Sequence, residues 1–245
     1  MQHLRSLLFN IFFFAWLILV LLVMWLFLPF PRKVMQEAVR IWSRGLQLGA
    51  RLLIGVTYEV RGRENLPDGA AVIASKHQSA WDTAIFYCLL PDPIYIMKQE
   101  LMRIPLWGWY ARKCEAIGVD RSGGASALKA MVADTLAGLA RDRQVIIFPE
   151  GTRTPPGMRR DYHPGIAAIY ARAEAPVVPV ALNSGLFWGR REFLKRPGTI
   201  TLEFLEPIPP GLKRKAFMAE LQERIESHTD RLVAEARGRF DLPQG

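Results

Sequence analysis

The feature that most constrains this chain is an apolar run near its N-terminus. From Leu7 to Phe30 no residue is charged. At a rise of ~1.5 Å per residue, a helix of this length can cross a hydrocarbon layer that is ~30 Å thick. A cleaved signal peptide would have a shorter apolar core, about 7–15 residues, followed by small residues, whereas this run ends in Pro29, Phe30 and Pro31. The run therefore predicts a transmembrane helix over about residues 7–30.

The charges that flank this run predict its orientation. Arg5 is the only Lys or Arg before the run, whereas several basic residues follow it closely: Arg32, Lys33, Arg40, Arg44 and Arg51. Positively charged flanks stay on the cytoplasmic side of a membrane. We therefore expect the protein in the inner (cytoplasmic) membrane, with the bulk of the chain on the cytoplasmic face.

A second helix is predicted from Val34 to Ile54. At ~100° per residue, its polar side carries Arg40, Arg44 and Arg51, and its apolar side carries Met35, Trp42, Leu46 and Leu53. A basic stripe opposite an apolar side is typical of a helix that lies in the membrane interface. The alternative is a helix that packs its apolar side on the protein's own domain. The two interpretations are compatible if the helix lies between the membrane and the domain. We interpret residues 1–55 as a membrane anchor and residues 56–245 as the globular domain.

The composition narrows the class of partner. A formal net charge of +9 favours a negatively charged partner, such as nucleic acid, an anionic membrane or a phosphorylated substrate. No nucleic-acid recognition motif accompanies the charge, and the membrane segment argues against that partner. Cys88 and Cys114 are the only cysteines, which leaves no disulfide framework and no CxxC metal pair and indicates a reducing compartment. Other metal-binding motifs are missing as well.

Beyond residue 55 the sequence alternates between strand and helix patterns. Strand patterns occur in VTYEVRG, AAVIAS, PIYIMK, CEAIGVD, QVIIFPE, PVVPVAL and TITLEFLE, and helix patterns over 79–90, 125–141, 165–173 and 212–237. This alternation predicts an α/β fold, a mostly parallel sheet flanked by helices. Ligands of such sheets gather outside the carboxyl ends of the strands. Polar residues that follow three of the strands are therefore expected in one crevice: His77, then Asp120 with Arg121, then Glu150 with Gly151 and Arg153.

The segment HQSAWD holds His77 and Asp82 five residues apart. On one continuous helix the two side chains would point apart, so they can meet only if His77 lies in a loop and Asp82 in the first helical turn. A histidine whose tautomer is fixed by a carboxylate is a suitable base for a hydroxyl. The alternative is that Asp82 only caps a helix that starts at Ser79, in a capping-box-like pattern.

The segment FPEGTR is more specific. Gly151 would let the backbone approach a ligand closely, and Arg153 offers a forked donor for phosphate. The alternative is a surface ion pair between Glu150 and Arg153. The adjacent Asp120 and Arg121 are a weaker candidate, because a dipeptide of opposite charges is usually solvated.

Together these segments resemble the motifs of the glycerolipid acyltransferase family, most closely those of the bacterial 1-acylglycerol-3-phosphate acyltransferases. HQSAWD is similar to the family's H-x-x-x-x-D block, GVDR to the end of its second block, FPEGTR to its third and VVPVAL to its fourth. The resemblance covers the chain after the membrane segment. It implies that His77 and Asp82 are catalytic. It also implies substrate-binding roles for Arg121, Glu150, Gly151, Thr152, Arg153 and Pro179, with Pro179 at the acyl site.

The reaction that the resemblance implies is direct acyl transfer. His77, oriented by Asp82, would take the proton from the 2-hydroxyl of 1-acylglycerol 3-phosphate (lysophosphatidate). The hydroxyl oxygen would attack the thioester of acyl-CoA or acyl carrier protein and give phosphatidate. Because a thioester is already activated, neither a covalent acyl-enzyme nor a cofactor is expected. Consistently, the chain contains no G-x-S-x-G elbow.

The sequence departs from the family pattern at two places. Cys114 to Ile117 stand where relatives often have a glycine, and His163 with Pro164 replaces a lysine before Gly165. His163 is therefore a minor rival for the role of base. Two other interpretations stay open: an acyltransferase for another lyso-lipid, such as an ornithine-containing lipid, or a non-catalytic binder of anionic lipid.

Overall fold

The computed structural model describes residues 1–120, 122–240 and 242. Within these residues seven strands form one sheet: β1 (Val56–Arg61), β2 (Ala71–Ser75), β3 (Pro93–Lys98), β4 (Ile117–Val119), β5 (Gln144–Ile147), β6 (Val177–Leu182) and β7 (Gly198–Phe204). The strand order is β1-β7-β6-β2-β5-β3-β4. Neighbouring strands are parallel except β6 and β7, which are antiparallel. The predicted mostly parallel sheet is confirmed.

Helices cover both faces of the sheet. The described chain contains seven: α1 (Gln2–Met24), α2 (Arg32–Gly49), α3 (Trp81–Leu89), α4 (Trp107–Lys113), α5 (Gly124–Leu139), α6 (Gly165–Tyr170) and α7 (Arg214–Arg239). In β2, Ile73 belongs to a core shared with α1, α2 and α3, whereas Val72 and Ala74 belong to a core shared with α5, α6 and α7. Strands that are buried on both faces explain why β2, β5 and β6 are almost continuously apolar in sequence.

The two N-terminal helices pack closely because α2 offers glycines at the contact. A Cβ added to Gly49 would lie 2.0 Å from Cε1 of Phe12, and one added to Gly45 would lie 2.5 Å from Cζ2 of Trp16. The rings of Phe12 and Trp16 are stacked, with an interplanar angle of 8°. Any side chain at these glycines would have to displace the Phe12 and Trp16 rings or the helices themselves.

Helix α1 begins earlier than the predicted span of residues 7–30, and a short 3₁₀ turn follows its end at Met24. Polar side chains of its first turns are bonded to the globular domain. Gln2 and Ser6 donate to the carbonyl of Lys195 at 3.1 and 3.4 Å, and Asn10 donates to that of Phe193 at 3.2 Å. These contacts extend the helix beyond the apolar run. By length and composition, Gln2–Phe27 can cross a membrane.

Helix α2 follows the alternative in which its apolar side packs on the protein itself. Met35, Trp42 and Leu46 are buried. Arg40 is not part of a solvated stripe, because its guanidinium donates to the carbonyls of Tyr87 and Pro91 at 2.9 Å each, at the end of α3. One arginine of the predicted basic stripe is thus hydrogen-bonded to the protein itself.

An outer apolar face remains on both N-terminal helices. It consists of exposed large apolar residues of α1, of α2 and of the turn that follows α2. These residues include Leu7, Ile11, Phe14, Ile18, Leu22, Ile41, Leu48 and Leu52. We call this surface the outer apolar face. A soluble monomer rarely exposes a continuous apolar surface of this kind, so the face fits the predicted membrane anchor.

Candidate active site

One large cavity opens where β2, β3, β4 and β5 end, and it encloses about 1080 Å³. One part of it is apolar and is lined by side chains of α1 and α2: Phe13, Leu17, Val20, Leu21, Met24, Val39 and Trp42. Another part is polar and is lined by His77, Lys98, Arg153, His163, Arg190 and Arg191. The lining of the cavity therefore includes both charged side chains near His77 and apolar side chains of the two N-terminal helices.

His77 and Asp82 meet in this cavity. His77 lies in the loop after β2, Asp82 lies in the first turn of α3, and Nδ1 of His77 is 3.0 Å from Oδ2 of Asp82. The Asp82 side chain is fully buried, whereas 11% of the His77 side chain is exposed. The His77 ring is stacked on Phe148 with 4.0 Å between the ring centroids. Since Nδ1 faces the carboxylate, Nε2 is the nitrogen left for a ligand.

Asp82 also accepts backbone N–H groups of the loop that leads into α3. Its Oδ2 accepts the backbone N–H groups of Gln78 and Ser79 at 2.7 and 2.8 Å. Its Oδ1 accepts the hydroxyl of Ser184 at 2.6 Å. One carboxylate therefore holds both the His77 ring and the backbone of the loop before α3. The helix itself begins at Trp81 with Ala80 as its N-cap, so the alternative of a helix that starts at Ser79 is not found.

The backbone of His77 is held from the loop after β5. Its N–H donates to Oε2 of Glu150 at 2.9 Å, and its carbonyl accepts the N–H of Thr154 at 2.7 Å. The segment FPEGTR and Thr154, which follows it directly, thus fix His77 through its main chain, in addition to any contact with a ligand.

Behind His77 lies a buried charged cluster. Nζ of Lys76 is 2.8 Å from Oε1 of Glu150 and 2.8 Å from Oε1 of Glu226. The hydroxyl of Tyr162 donates to Oε1 of Glu226 at 2.9 Å. Burial and the neighbouring carboxylates of Glu226 and Glu150 raise the pKa of Tyr162. The cluster links the β2 loop, the β5 loop and α7 through charge-assisted hydrogen bonds.

The position of Glu150 therefore does not match the substrate-binding role that the resemblance implied. Its side chain is buried, and both carboxylate oxygens are bonded to protein groups, Lys76 and the N–H of His77. For the same reason the alternative ion pair between Glu150 and Arg153 is not found. Glu150 holds the loop that carries His77 from the side of the core, where its carboxylate is paired with Lys76.

Gly151, Thr152 and Arg153 line the cavity, as the sequence led us to expect. Gly151 adopts a left-handed φ of 63°, which favours glycine, and its N–H donates to the carbonyl of Phe148 at 2.9 Å. Burial lowers the pKa of Arg153, the nearby Arg190 and Arg191 charges lower it further, and the Asp82 carboxylate opposes the shift. Arg153 is thus a partly desolvated cation whose charge is attracted by the Asp82 carboxylate.

The remaining predicted site residues differ in where they lie relative to the cavity. Asp120 lines the cavity, and its Oδ1 accepts the N–H of Ser122 at 2.9 Å. Arg121 lies outside the described residues. Pro179 is buried in the middle of β6, opposite Ala74 of β2, and is not among the residues that line the cavity. A residue inside a central strand does not reach a crevice at the strand ends, so the expected place of Pro179 at the acyl site is not found.

Several residues of the site were not identified from the sequence. Ser184 follows β6, and Lys98 is the last residue of β3. Applying the strand-end rule to these strands as well would have found both. Arg190 and Arg191 lie in a long loop before β7, where no local pattern distinguishes them from solvated arginines.

The fold and this site define an α/β acyl-transferring enzyme with apolar N-terminal helices. The chain belongs to the Acyltransferase family, whose model matches residues 57–183. The motif resemblance and the prediction of an acyltransferase are thereby confirmed.

Individual relatives support the same class. The chain is 34% identical over 208 residues to a 1-acyl-sn-glycerol-3-phosphate acyltransferase of Pseudomonas aeruginosa. This match covers 85% of this chain and 80% of that protein. It is 32% identical over 171 residues to the 1-acyl-sn-glycerol-3-phosphate acyltransferase alpha of Mus musculus, covering 67% of this chain and 59% of that protein. A crystal structure of the 1-acyl-sn-glycerophosphate (LPA) acyltransferase PlsC of Thermotoga maritima matches with a TM-score of 0.77 and 22% identity, over 95% of this chain and 98% of that one. That structure shows a shared fold.

Proposed function

We propose that this acyltransferase transfers an acyl chain from acyl-CoA or acyl carrier protein to the 2-hydroxyl of 1-acylglycerol 3-phosphate, giving phosphatidate for phospholipid synthesis. The names of its bacterial and animal relatives support this substrate. The observation that carries the proposal is the His77–Asp82 hydrogen bond of 3.0 Å in a cavity that is charged at one part and apolar at another.

In the proposed mechanism Nε2 of His77 accepts the proton of the 2-hydroxyl while the hydroxyl oxygen attacks the thioester carbonyl carbon. Asp82 holds Nδ1–H, fixes the tautomer and stabilises the imidazolium that forms. The tetrahedral intermediate then expels the thiolate. The thiolate takes the proton from His77 and leaves as the free thiol of the donor. No metal or cofactor is needed, because the thioester already carries the activated acyl group.

The polar part of the cavity provides cations for the substrate phosphate. Arg153 is the main candidate, since the attraction of Asp82 acts on its charge and only the glycerol backbone separates a reacting 2-hydroxyl from the phosphate. Lys98 lines the same cavity. By the resemblance alone, Arg121 has a similar role. A phosphomonoester carries close to two negative charges, which suits more than one cation.

The apolar part of the cavity suits an acyl chain. Its lining comes from Phe13, Leu17 and Met24 of α1 and from Val39 and Trp42 of α2. Burying hydrocarbon there is favourable by about 25 cal/mol per Å² of apolar area. The membrane-anchor helices would therefore form part of the substrate site as well as the contact with lipid.

We further propose that the outer apolar face contacts lipid of the cytoplasmic membrane, with the catalytic domain on the cytoplasmic face. The domain contacts α1 at both ends, through Lys195 with Ser6 and through Tyr110, whose hydroxyl donates to the carbonyl of Leu21 at 2.5 Å. For α1 to cross a whole bilayer it would have to separate from the domain along part of this stretch. Otherwise polar loops would enter the hydrocarbon.

The test is an acyl-transfer assay on the purified full chain in detergent or lipid. Lysophosphatidate and labelled acyl-CoA or acyl carrier protein should give labelled phosphatidate, and His77→Ala should not. A preference for another lyso-lipid would replace the proposed acceptor while keeping the acyl transfer. Absence of transfer to any lyso-lipid by well-folded protein, with either donor, would overturn the proposal.

A further inference from the structure

The loop between the 3₁₀ turn at Ser184–Leu186 and β7 brings two adjacent arginines to the cavity. Arg190 and Arg191 are exposed, and both line the cavity that holds His77. Within the described part of the chain, no carboxylate lies within ion-pair distance of Arg153, Arg190 or Arg191. Other arginines do have such partners, for example Arg32 with Asp92 and Arg143 with Glu115.

This loop is fixed at several points. The N–H of Trp188 donates to the carbonyl of Ser184 at 2.9 Å, and the N–H of Arg196 donates to that of Phe187 at 2.9 Å. The N–H of Lys195 donates to Oγ of Ser6 in α1 at 2.9 Å. The backbone on both sides of the arginines is thus held in place, so ligand binding has mainly the two side chains to order.

The loop also joins Arg190 directly to the FPEGTR segment. Nη1 of Arg190 donates to the carbonyl of Arg153 at 3.1 Å. Three guanidinium groups are therefore gathered at one part of the cavity, and the charges of Arg190 and Arg191 act against that of Arg153. Like charges that are crowded and partly desolvated are unfavourable. An anion bound among them would remove this repulsion.

We propose that Arg190 and Arg191 form, beside Arg153, a binding subsite for a phosphate ester. Guanidinium groups make forked, charge-assisted bonds to phosphate oxygens. The phosphate has two possible sources in the reaction: the monoester of the lyso-lipid or the phosphopantetheine arm of the thioester donor. This inference rests on the proposed function, because both sources are its substrates.

The experiment compares the double variant Arg190→Gln/Arg191→Gln with wild-type full chain in detergent. The matched control is Arg172→Gln/Arg214→Gln, which removes the same charge from exposed positions that do not line the cavity. KM is measured for lysophosphatidate and for acyl-CoA separately. We expect a rise of about tenfold or more in one of the two KM values, with a smaller change in kcat. The affected substrate identifies the source of the phosphate.

A second measurement does not depend on turnover. sn-Glycerol 3-phosphate and free CoA are each tested for raising the melting temperature, since a ligand that binds only the folded state stabilises it. The subsite predicts that at least one of them stabilises wild type and the control, and that the double variant loses this shift. Unchanged KM values together with unchanged shifts in the double variant would overturn the inference. If wild type acylates no lyso-lipid but shows an arginine-dependent shift, the proposed function fails and the subsite stands.

Discussion

Glu150 accepts the backbone N–H of His77 at 2.9 Å with one oxygen and the ammonium of Lys76 at 2.8 Å with the other. The most specific motif of the sequence thus acts on the proposed base, His77, through the main chain of that residue. Glu150→Gln would place an amide NH₂ against one of these two donors. We expect kcat to fall by about tenfold or more, with little change in KM for the lyso-lipid, because the side chain holds His77 and does not face the cavity.

The control for this prediction is Glu223→Gln, an exposed position on α7, which should behave as wild type. A role of Glu150 in substrate binding would instead appear as a raised KM with kcat preserved. That result would contradict the role inferred from the geometry.

Lys76 neutralises two buried carboxylates, those of Glu150 and Glu226. Replacing it by Met, which has a similar length, should destabilise the protein by about 3–5 kcal/mol, because the carboxylates would be left buried and unpaired. The double variant Lys76→Met/Glu226→Gln removes one of these charges and should recover part of the loss. Thermal unfolding in detergent measures both effects. If the double variant were no more stable than the single one, Lys76 would not act through Glu226.

The two roles of Asp82 can be separated by comparison with His77. His77→Ala should lower turnover by roughly 10²–10⁴-fold, the usual contribution of a positioned base, and leave the fold intact. Asp82→Asn should reduce turnover less. It should also lower the melting temperature, because Oδ2 accepts the buried N–H groups of Gln78 and Ser79 in the loop just before α3. Wild-type turnover in a folded His77→Ala protein would remove His77 from the mechanism and make His163 the next candidate.

The fold was predictable because each element carries its own pattern. Strands buried on both faces, such as β2 and β6, are short apolar runs, and the rule that ligands gather at strand ends brought His77 and Arg153 to one crevice before any geometry was known. The H-x-x-x-x-D spacing also required His77 in a loop and Asp82 in a helix. The structure has this arrangement.

The parts that were not predictable depend on contacts between distant segments. Lys76 meets Glu226 across 150 positions of sequence, and no local pattern shows that Glu150 would be drawn away from the ligand by this pair. The same holds for Ser6, whose bond to Lys195 spans 189 positions. The uncharged run predicted α1 but could not show that one side of this helix packs on the domain.

The packing of α1 on α2 can be tested through Cys114. This thiol is buried in a cluster with Met24 and Met35, and burial raises its pKa to about 12. At about pH 8 the reactive thiolate is therefore scarce. Gly49→Leu, which would collide with Phe12, should release α1 and bring the pKa of Cys114 down toward ~8.5, the ordinary value of a thiol.

The measurement is the rate of iodoacetamide labelling of Cys114, followed by mass spectrometry of its peptide, which distinguishes it from Cys88. Gly238→Leu is the matched control, because a Cβ at that position of α7 meets no atom within 4 Å. Equal labelling rates in the two variants would show that α1 does not depend on this glycine contact.

The assignment of Arg153 to the lyso-lipid phosphate predicts a preference among headgroups. A phosphomonoester has close to two charges and three terminal oxygens, whereas a phosphodiester has one charge and a bulky alcohol that must fit beside the guanidinium. Lysophosphatidate should therefore be acylated far faster than lysophosphatidylcholine or lysophosphatidylethanolamine. Arg153→Lys should weaken substrate binding although the charge is kept, because an ammonium cannot make forked bonds. Arg153→Ala should raise KM for the lyso-lipid and leave KM for the thioester nearly unchanged. Initial rates at matched surface concentrations, with Arg172→Ala as the control, measure these effects. Equal rates for monoester and diester substrates, or a defect of Arg153→Ala confined to the acyl donor, would move Arg153 to the thioester side of the site.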